Sequence, residues 1–218
     1  MILAPTTILA YLIHRRMVNL EPFLIGASLL IVTLLVQPPL QLGVSYFIKD
    51  LESILTIILY SIVMGGIAGF LQEALKLIGL KLIGYTRLNA IGVGCGFGYA
   101  EAVLTFSGAL IALFLKLSTI TFEDIVLGSI ERCTALIFHI VSTLILYLGF
   151  ISGRTLLGYL LVSITHTIVD SSAVAIKRGL LPLEIMEATW FTIVVIMLIL
   201  YLMVERELTT TSQDVVNT

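Results

Sequence analysis

Charged side chains are scarce in this chain of 218 residues. Asp, Glu, Lys and Arg make up 12% of it and hydrophobic residues 59%, whereas a soluble domain carries about 25% charged and roughly 45–50% apolar residues. A water-soluble fold is therefore excluded. The net charge is −2 and no basic run exceeds Arg15-Arg16, which excludes a nucleic-acid partner. Membrane lipids are the partners that this composition predicts.

Cysteine is also nearly absent. The two that occur, Cys95 and Cys133, lie in apolar segments, which rules out a disulfide framework and a Cys-rich zinc site and favours simple packing. The alternating pattern of a transmembrane barrel is absent too, and an open sheet cannot exist in lipid. The sequence therefore predicts an all-α fold.

Long apolar segments occupy most of the chain. Cutting it at charges, at Pro and Gly clusters and at polar pairs predicts seven helices, over residues 2–13, 21–37, 51–83, 88–117, 123–150, 154–176 and 182–204. A membrane span needs about 20 residues, so the first helix is short for one. Pro38 and Pro39 are expected to end the second helix. The predicted architecture is a polytopic transmembrane helix bundle of about seven spans, with one domain over residues 1–208 and a polar, disordered tail over residues 209–218.

Cations in the predicted loops favour one orientation in the membrane. The odd-numbered loops and the tail hold Arg15, Arg16, Lys81, Arg87, Arg154 and Arg206, whereas the even-numbered loops hold Lys49, Lys116, Lys177 and Arg178. Because cytoplasmic loops carry the excess of Lys and Arg, this bias predicts a multi-pass cell-membrane protein with its N-terminus outside and its C-terminus in the cytoplasm.

Ionisable residues recur inside the predicted spans, although each costs about 2.5–3.5 kcal/mol at a helix centre. They are Glu73 and Lys76 with the neighbouring Gln72 on the third helix, Glu101 on the fourth, Glu131, Arg132 and His139 on the fifth, and His166 and Asp170 on the sixth. Such residues need a partner, a wet cavity or a function.

Helical spacing sorts these residues into faces. Glu73 and Lys76 are three apart, which predicts an ion pair within one helix. Arg132 and His139 are seven apart and share a face. His166 and Asp170 are four apart and lie one above the other.

Depth in the bilayer is the second criterion. Glu101, His139 and His166 fall near the middle of their predicted spans. Glu73 lies farther along the long third helix, which places it level with these three or slightly toward the cytoplasm. We therefore expect four polar positions from four helices to converge on one site.

Two imidazoles and a carboxylate can form a three-ligand zinc site with an open position, while a further Glu serves as general base. The same groups could act without a metal, with Glu polarising water and His donating to an oxyanion. Hydrolysis in the membrane suits both. Each residue also has a structural interpretation: a salt bridge for Glu73 and Lys76, a paired cation for Arg132, and an interhelical hydrogen bond for either histidine.

Four motifs follow one another on four successive helices. They are Gln72-Glu73-Ala74-Leu75-Lys76, the Gly-rich segment from Gly92 to Ala102, Arg132 with His139, and His166 with Asp170. In this order the chain resembles the YhfC family of intramembrane metalloproteases. That family is placed in the superfamily of the CAAX proteases, the PrsW proteases and the Aph-type subunit of gamma-secretase.

The resemblance implies a glutamate- and histidine-dependent peptidase that cleaves a membrane protein or peptide within or near the bilayer, assisted by a divalent metal such as zinc. By this likeness Glu73, Glu101, His139 and His166 are the catalytic candidates. The candidate metal ligands are Glu101, His139, His166 and Asp170, and the supporting residues are Gln72, Lys76 and Arg132.

One position departs from the family pattern. Gln72 stands where the family has a first glutamate, and an amide cannot act as a base, so Glu73 or Glu101 would take that role. Gln72 favours the alternative of a non-catalytic scaffold or chaperone subunit. A third hypothesis, an ion- or proton-coupled transporter, uses the same buried groups as a relay but lacks support from an inverted repeat.

Overall fold

We describe the protein from a computed structural model. It describes residues 1–48, 53–117 and 119–216, with side chains as far as residue 208. The start of the predicted third helix at residues 51 and 52, the loop cation Lys49 and the last two residues of the tail lie outside the described residues.

The described residues form seven α-helices and no strand. They are α1 (Leu3–His14), α2 (Leu20–Phe47), α3 (Ile54–Ile83), α4 (Arg87–Phe114), α5 (Phe122–Ile151), α6 (Thr155–Lys177) and α7 (Leu183–Val216). The predicted all-α, polytopic bundle is confirmed.

Six of the seven helices, α2 to α7, are long and apolar enough to cross a membrane. The chain is therefore a multi-pass membrane protein. The remaining helix, α1, has 12 residues and a length of about 18 Å, well short of the roughly 30 Å of a hydrocarbon core. It packs against α4 and α5, and Thr6 shares a hydrogen bond of 3.2 Å with the hydroxyl of Tyr99.

The prediction that Pro38 and Pro39 end the second helix is wrong. Helix α2 continues through both prolines to Phe47. Inside a membrane, a broken helix would expose backbone groups to hydrocarbon, whereas neighbouring helices can accommodate the lost hydrogen bonds of a proline. Just beyond the prolines, the Gln41 amide donates to the carbonyl of Met64 on α3 at 3.1 Å, which fastens this part of α2 to its neighbour.

The C-terminal tail also differs from expectation. Helix α7 continues to Val216, so residues 209–216 are helical rather than disordered. No backbone signal separates them from the preceding turns, because neither Gly nor Pro occurs between residues 183 and 216. A domain boundary at residue 208 remains a prediction.

Helix α5 lies at the centre of the bundle and is the most deeply buried of the spans. It packs against α4, α6 and α7, while α3 makes its most extensive contact with α6. Large apolar side chains on the outer helices, such as Leu35, Phe114 and Leu156, are exposed and available to lipid. This arrangement directs the inner faces of α3, α4, α5 and α6 toward one another.

Small residues allow α2 and α4 to approach closely. A Cβ atom at Gly96 would overlap the backbone of Phe23, and one at Gly92 would meet the ring of Pro22. Gly26 on α2 lies in the same way against the backbone of Val93. The missing side chains of these glycines therefore let the backbones of α2 and α4 lie against each other.

Replacing Gly96 with Ala is expected to lower the midpoint of thermal unfolding in detergent micelles, because the added methyl group would force α2 and α4 apart. Overpacking of this kind costs roughly 1–3 kcal/mol. Gly108→Ala is the matched control, since Gly108 lies on the same helix and its new methyl group would meet nothing within 4 Å. Circular dichroism would measure both midpoints, and equal values for the two variants would contradict the close approach.

Candidate functional site

The polar residues predicted on four helices meet in the centre of the bundle. Glu73, His139 and His166 are almost fully buried there, and the ring centroids of the two histidines are 5.4 Å apart. That separation places both imidazoles at one site, supplied by α3, α5 and α6, to which Glu101 of α4 is hydrogen-bonded.

Lys76 contacts three other residues of this cluster. Its ammonium donates to Glu73 Oε1 at 2.6 Å and to Ser142 Oγ at 2.6 Å, and it lies 3.2 Å from His139 Nδ1. The predicted ion pair between Glu73 and Lys76 is confirmed, and both side chains are fully buried. A lysine ammonium has three donors, so these three contacts use all of them.

The lysine contact assigns the proton of His139. Because a charged Lys76 only donates, Nδ1 of His139 accepts and the ring proton lies on Nε2. Nε2 then donates to Glu101 Oε2 at 2.7 Å. This tautomer follows from the hydrogen-bond network.

His166 has the opposite tautomer. Its Nδ1 lies 2.7 Å from Glu73 Oε1, a carboxylate oxygen that only accepts, so Nδ1 carries the proton. The lone pair is therefore on Nε2, which is 3.7 Å from Asp170 Oδ2 and too far for a hydrogen bond. The two histidines thus present different groups to the site: an N–H from His139 and a lone pair from His166.

Arg132 fixes Glu101 from the other side. Its guanidinium donates to Glu101 Oε1 at 2.8 Å and to Thr105 Oγ1 at 3.2 Å, and it also pairs with Glu131. The side chain of Arg132 is 6% exposed while that of Glu101 is 32% exposed. The interpretation of Arg132 as a paired cation is confirmed, and its contacts hold Glu101 at the edge of the buried cluster.

A small cavity opens beside these groups. Its volume of about 20 Å³ is enough for one water molecule. Polar atoms and aromatic or apolar side chains both contribute to its wall, among them Glu101, His139, His166, Asp170, Phe138 and Trp190. Glu73 and Lys76 lie behind this wall, where they contact the histidines rather than the cavity.

Two residues of the site were not among the predicted ones. Ser142 lies one turn after His139, and only the three-dimensional contact with Lys76 shows its role. Trp190 comes from α7, whose side chains up to residue 208 include no buried charge that would mark the helix as part of a site. Its indole N–H donates to Val169 O at 3.1 Å and to Ser172 Oγ at 2.8 Å, which fixes the ring as a wall of the cavity.

The structure does not bring Gln72 to the cavity. Its amide donates instead to Gln37 Oε1 of α2 at 3.1 Å. Gln72 therefore connects α2 and α3, while the adjacent Glu73 faces the histidines.

The donors around the cavity match a zinc site in kind. Two imidazoles and two carboxylates line it, and zinc prefers such ligands. His166 has the arrangement of a metal-binding histidine, with one nitrogen on a carboxylate and a lone pair on the other. The spacing is less favourable, because no three His, Cys, Asp or Glu side chains among the described residues are grouped to hold one ion.

Comparison with known proteins identifies one similar family. No curated protein matches the chain. A family model described as YhfC intramembrane metalloprotease matches residues 105–191, which run from the end of α4 into α7 and include Arg132, His139, His166 and Asp170. Glu73 and Glu101 precede the matched segment. Over these residues, less than half of its length, the chain is similar to the YhfC intramembrane metalloprotease family.

Proposed function

We propose that this protein is an integral-membrane peptidase that hydrolyses a peptide bond at the cavity between α4, α5, α6 and α7. The observation that carries the proposal is the meeting of His139, His166, Glu101 and Asp170 around a space for one water molecule inside an apolar bundle. The match to an intramembrane metalloprotease family over residues 105–191 supports the same class of activity.

Glu101 is the general base in this proposal. Of the two candidate glutamates, only Glu101 lines the cavity, while Glu73 is fully buried behind it. Each Glu101 oxygen keeps a lone pair beyond its bonds to Arg132 and His139. Glu101 would take a proton from the cavity water while the water oxygen attacks the peptide carbonyl. Glu101 would then pass that proton to the leaving amine nitrogen.

His139 supplies the group for the developing oxyanion. Its Nε2–H faces the cavity edge and donates to Glu101 in the resting arrangement. Once Glu101 has accepted a proton it is a weaker acceptor, so this N–H becomes available to the carbonyl oxygen that gains charge. Lys76 and Ser142 would maintain this tautomer from the opposite side of the ring.

Asp170 and the Nε2 lone pair of His166 would hold the metal, with Glu73 orienting the His166 ring through Nδ1. A bound zinc ion supplies Lewis acidity and lowers the pKa of its bound water to about 7. His139 would join the ligand set only if its proton moved away from Nε2, which requires Lys76 to stop donating to Nδ1. We therefore assign His139 to the oxyanion rather than to the metal.

Glu101→Gln is expected to lower peptide cleavage by roughly 10²–10⁴-fold, the usual contribution of a general base, because an amide cannot accept the water proton. The measurement is mass spectrometry of new N-termini in single-span peptides reconstituted with the protein in liposomes. Glu131→Gln is the matched control: Glu131 also pairs with Arg132 but does not line the cavity. Equal loss in the two variants would contradict the assignment.

One observation supports the scaffold hypothesis. Most polar side-chain atoms of the cluster already have hydrogen-bond partners within the chain. The scaffold hypothesis predicts that Glu101→Gln disturbs the thermal midpoint or the assembly with membrane partners, and that no variant changes cleavage. A peptidase with Glu101 as base predicts the reverse: a folded variant with an unchanged size-exclusion profile and no cleavage.

Purified protein is expected to contain one zinc ion per chain, and His166→Ala should remove most of it because the variant lacks the free Nε2 lone pair. Inductively coupled plasma mass spectrometry measures the metal directly. The chain has three histidines, so His14→Ala is a control outside the site. Retention of full metal content by His166→Ala would refute this ligand.

We also propose that the C-terminus is cytoplasmic. Arg15 and Arg16 lie in the loop that precedes the first of six long spans. Because six is an even number, this loop and the C-terminus lie on the same side of the membrane. The excess of loop cations on this side favours the cytoplasm. An outside N-terminus further requires the short α1 to cross the bilayer.

A further inference from the structure

A second cavity, which shares no lining residue with the histidine site, lies between the C-terminal half of α2, the first turns of α3 and the end of α6. Its volume is about 720 Å³, within the range of about 300–1,000 Å³ typical of ligand sites. The wall includes Pro38, Leu42, Met64 and Val174 on its apolar part, and Lys177 and Arg178 at the end of α6. We call this cavity the α2–α6 groove.

Polarity changes along the groove. Val174 and Met64 lie within the spans of α6 and α3, whereas Lys177 is the last residue of α6. The groove therefore runs from the end of a membrane span, where headgroups lie, toward the hydrocarbon. A phospholipid has the same order of a charged head and an apolar chain.

The two cations are available to a ligand. Lys177 and Arg178 are exposed, and neither forms an ion pair with any side chain in the described ranges. The Arg178 guanidinium lies 5.2 Å from the centre of the Tyr60 ring, a cation–π contact that places it over the groove. The other polar groups are already used: Gln41 donates to Met64 O, and Ser45 shares a hydrogen bond with Tyr60.

We propose that an anionic phospholipid binds in the α2–α6 groove, with its phosphate between Lys177 and Arg178 and an acyl chain along Pro38, Met64 and Val174. Charge complementarity selects an anionic over a zwitterionic lipid, because two exposed cations face one headgroup. The site is independent of the peptidase cavity and does not rest on that activity.

Native mass spectrometry of the full chain in detergent, titrated with phosphatidylglycerol or phosphatidylcholine, tests the proposal. The wild-type protein is expected to bind phosphatidylglycerol at least tenfold more tightly. The double variant Lys177→Gln and Arg178→Gln should bind it about 30-fold more weakly, which corresponds to about 2 kcal/mol for two charges. Lys81→Gln with Lys116→Gln is the matched control, because both lysines are exposed and neither lines the groove.

Val174→Trp provides a second test that leaves the charges in place. The indole should fill the apolar end of the groove and reduce phosphatidylglycerol binding at least tenfold. This variant therefore tests the lipid site even if the double variant does not fold. Equal binding of the two lipids by the wild-type protein would overturn the proposal. Undiminished binding of phosphatidylglycerol by Val174→Trp would also overturn it. If the wild-type protein is a dimer and Val174→Trp dissociates it while the control variant does not, the groove binds a second copy of the chain instead.

Discussion

The ammonium of Lys76 is the charge around which the interior of this protein is arranged. It is fully buried, and an unpaired charge in such a place would cost several kcal/mol. Glu73 supplies the opposite charge, Ser142 and His139 accept the remaining hydrogen bonds, and two helices, α3 and α5, are thereby joined at one nitrogen. Removal of one partner from a buried ion pair usually costs about 3–5 kcal/mol, so the cluster constrains the bundle as well as any chemistry.

The same nitrogen controls the two imidazoles in opposite ways. It donates directly to His139, which then carries its proton on the cavity side. Through Glu73 it acts on His166, which carries its proton on the far side and leaves its lone pair toward Asp170. A single cation thus makes two identical residue types chemically different. Hydrolysis benefits from such a pair, since it needs both a donor for the oxyanion and a basic or ligating nitrogen.

Much of this arrangement could be predicted from the sequence, because helical periodicity identifies which residues of one helix share a face. It predicts the Glu73–Lys76 pair and the polar face of His166 and Asp170. Periodicity does not predict the rotation of one helix relative to another. Gln72 and Glu73 differ by about 100° around the helix axis, and only the structure shows that Glu73 faces the histidines while Gln72 faces Gln37 of α2. The prediction for Pro38 and Pro39 fails because the rule for their effect comes from helices in water, where a broken helix can be solvated. Trp190 could not be predicted as part of the site because α7 has an ordinary apolar sequence. Its place in the cavity wall depends on how α7 packs against α5 and α6.

Trp190 is the only tryptophan of the chain, and it forms part of the cavity wall. Indole emission is sensitive to nearby water and to adjacent ions. The protein therefore contains an intrinsic optical reporter at the place where solvent, metal or peptide would enter, with no second indole to obscure its signal.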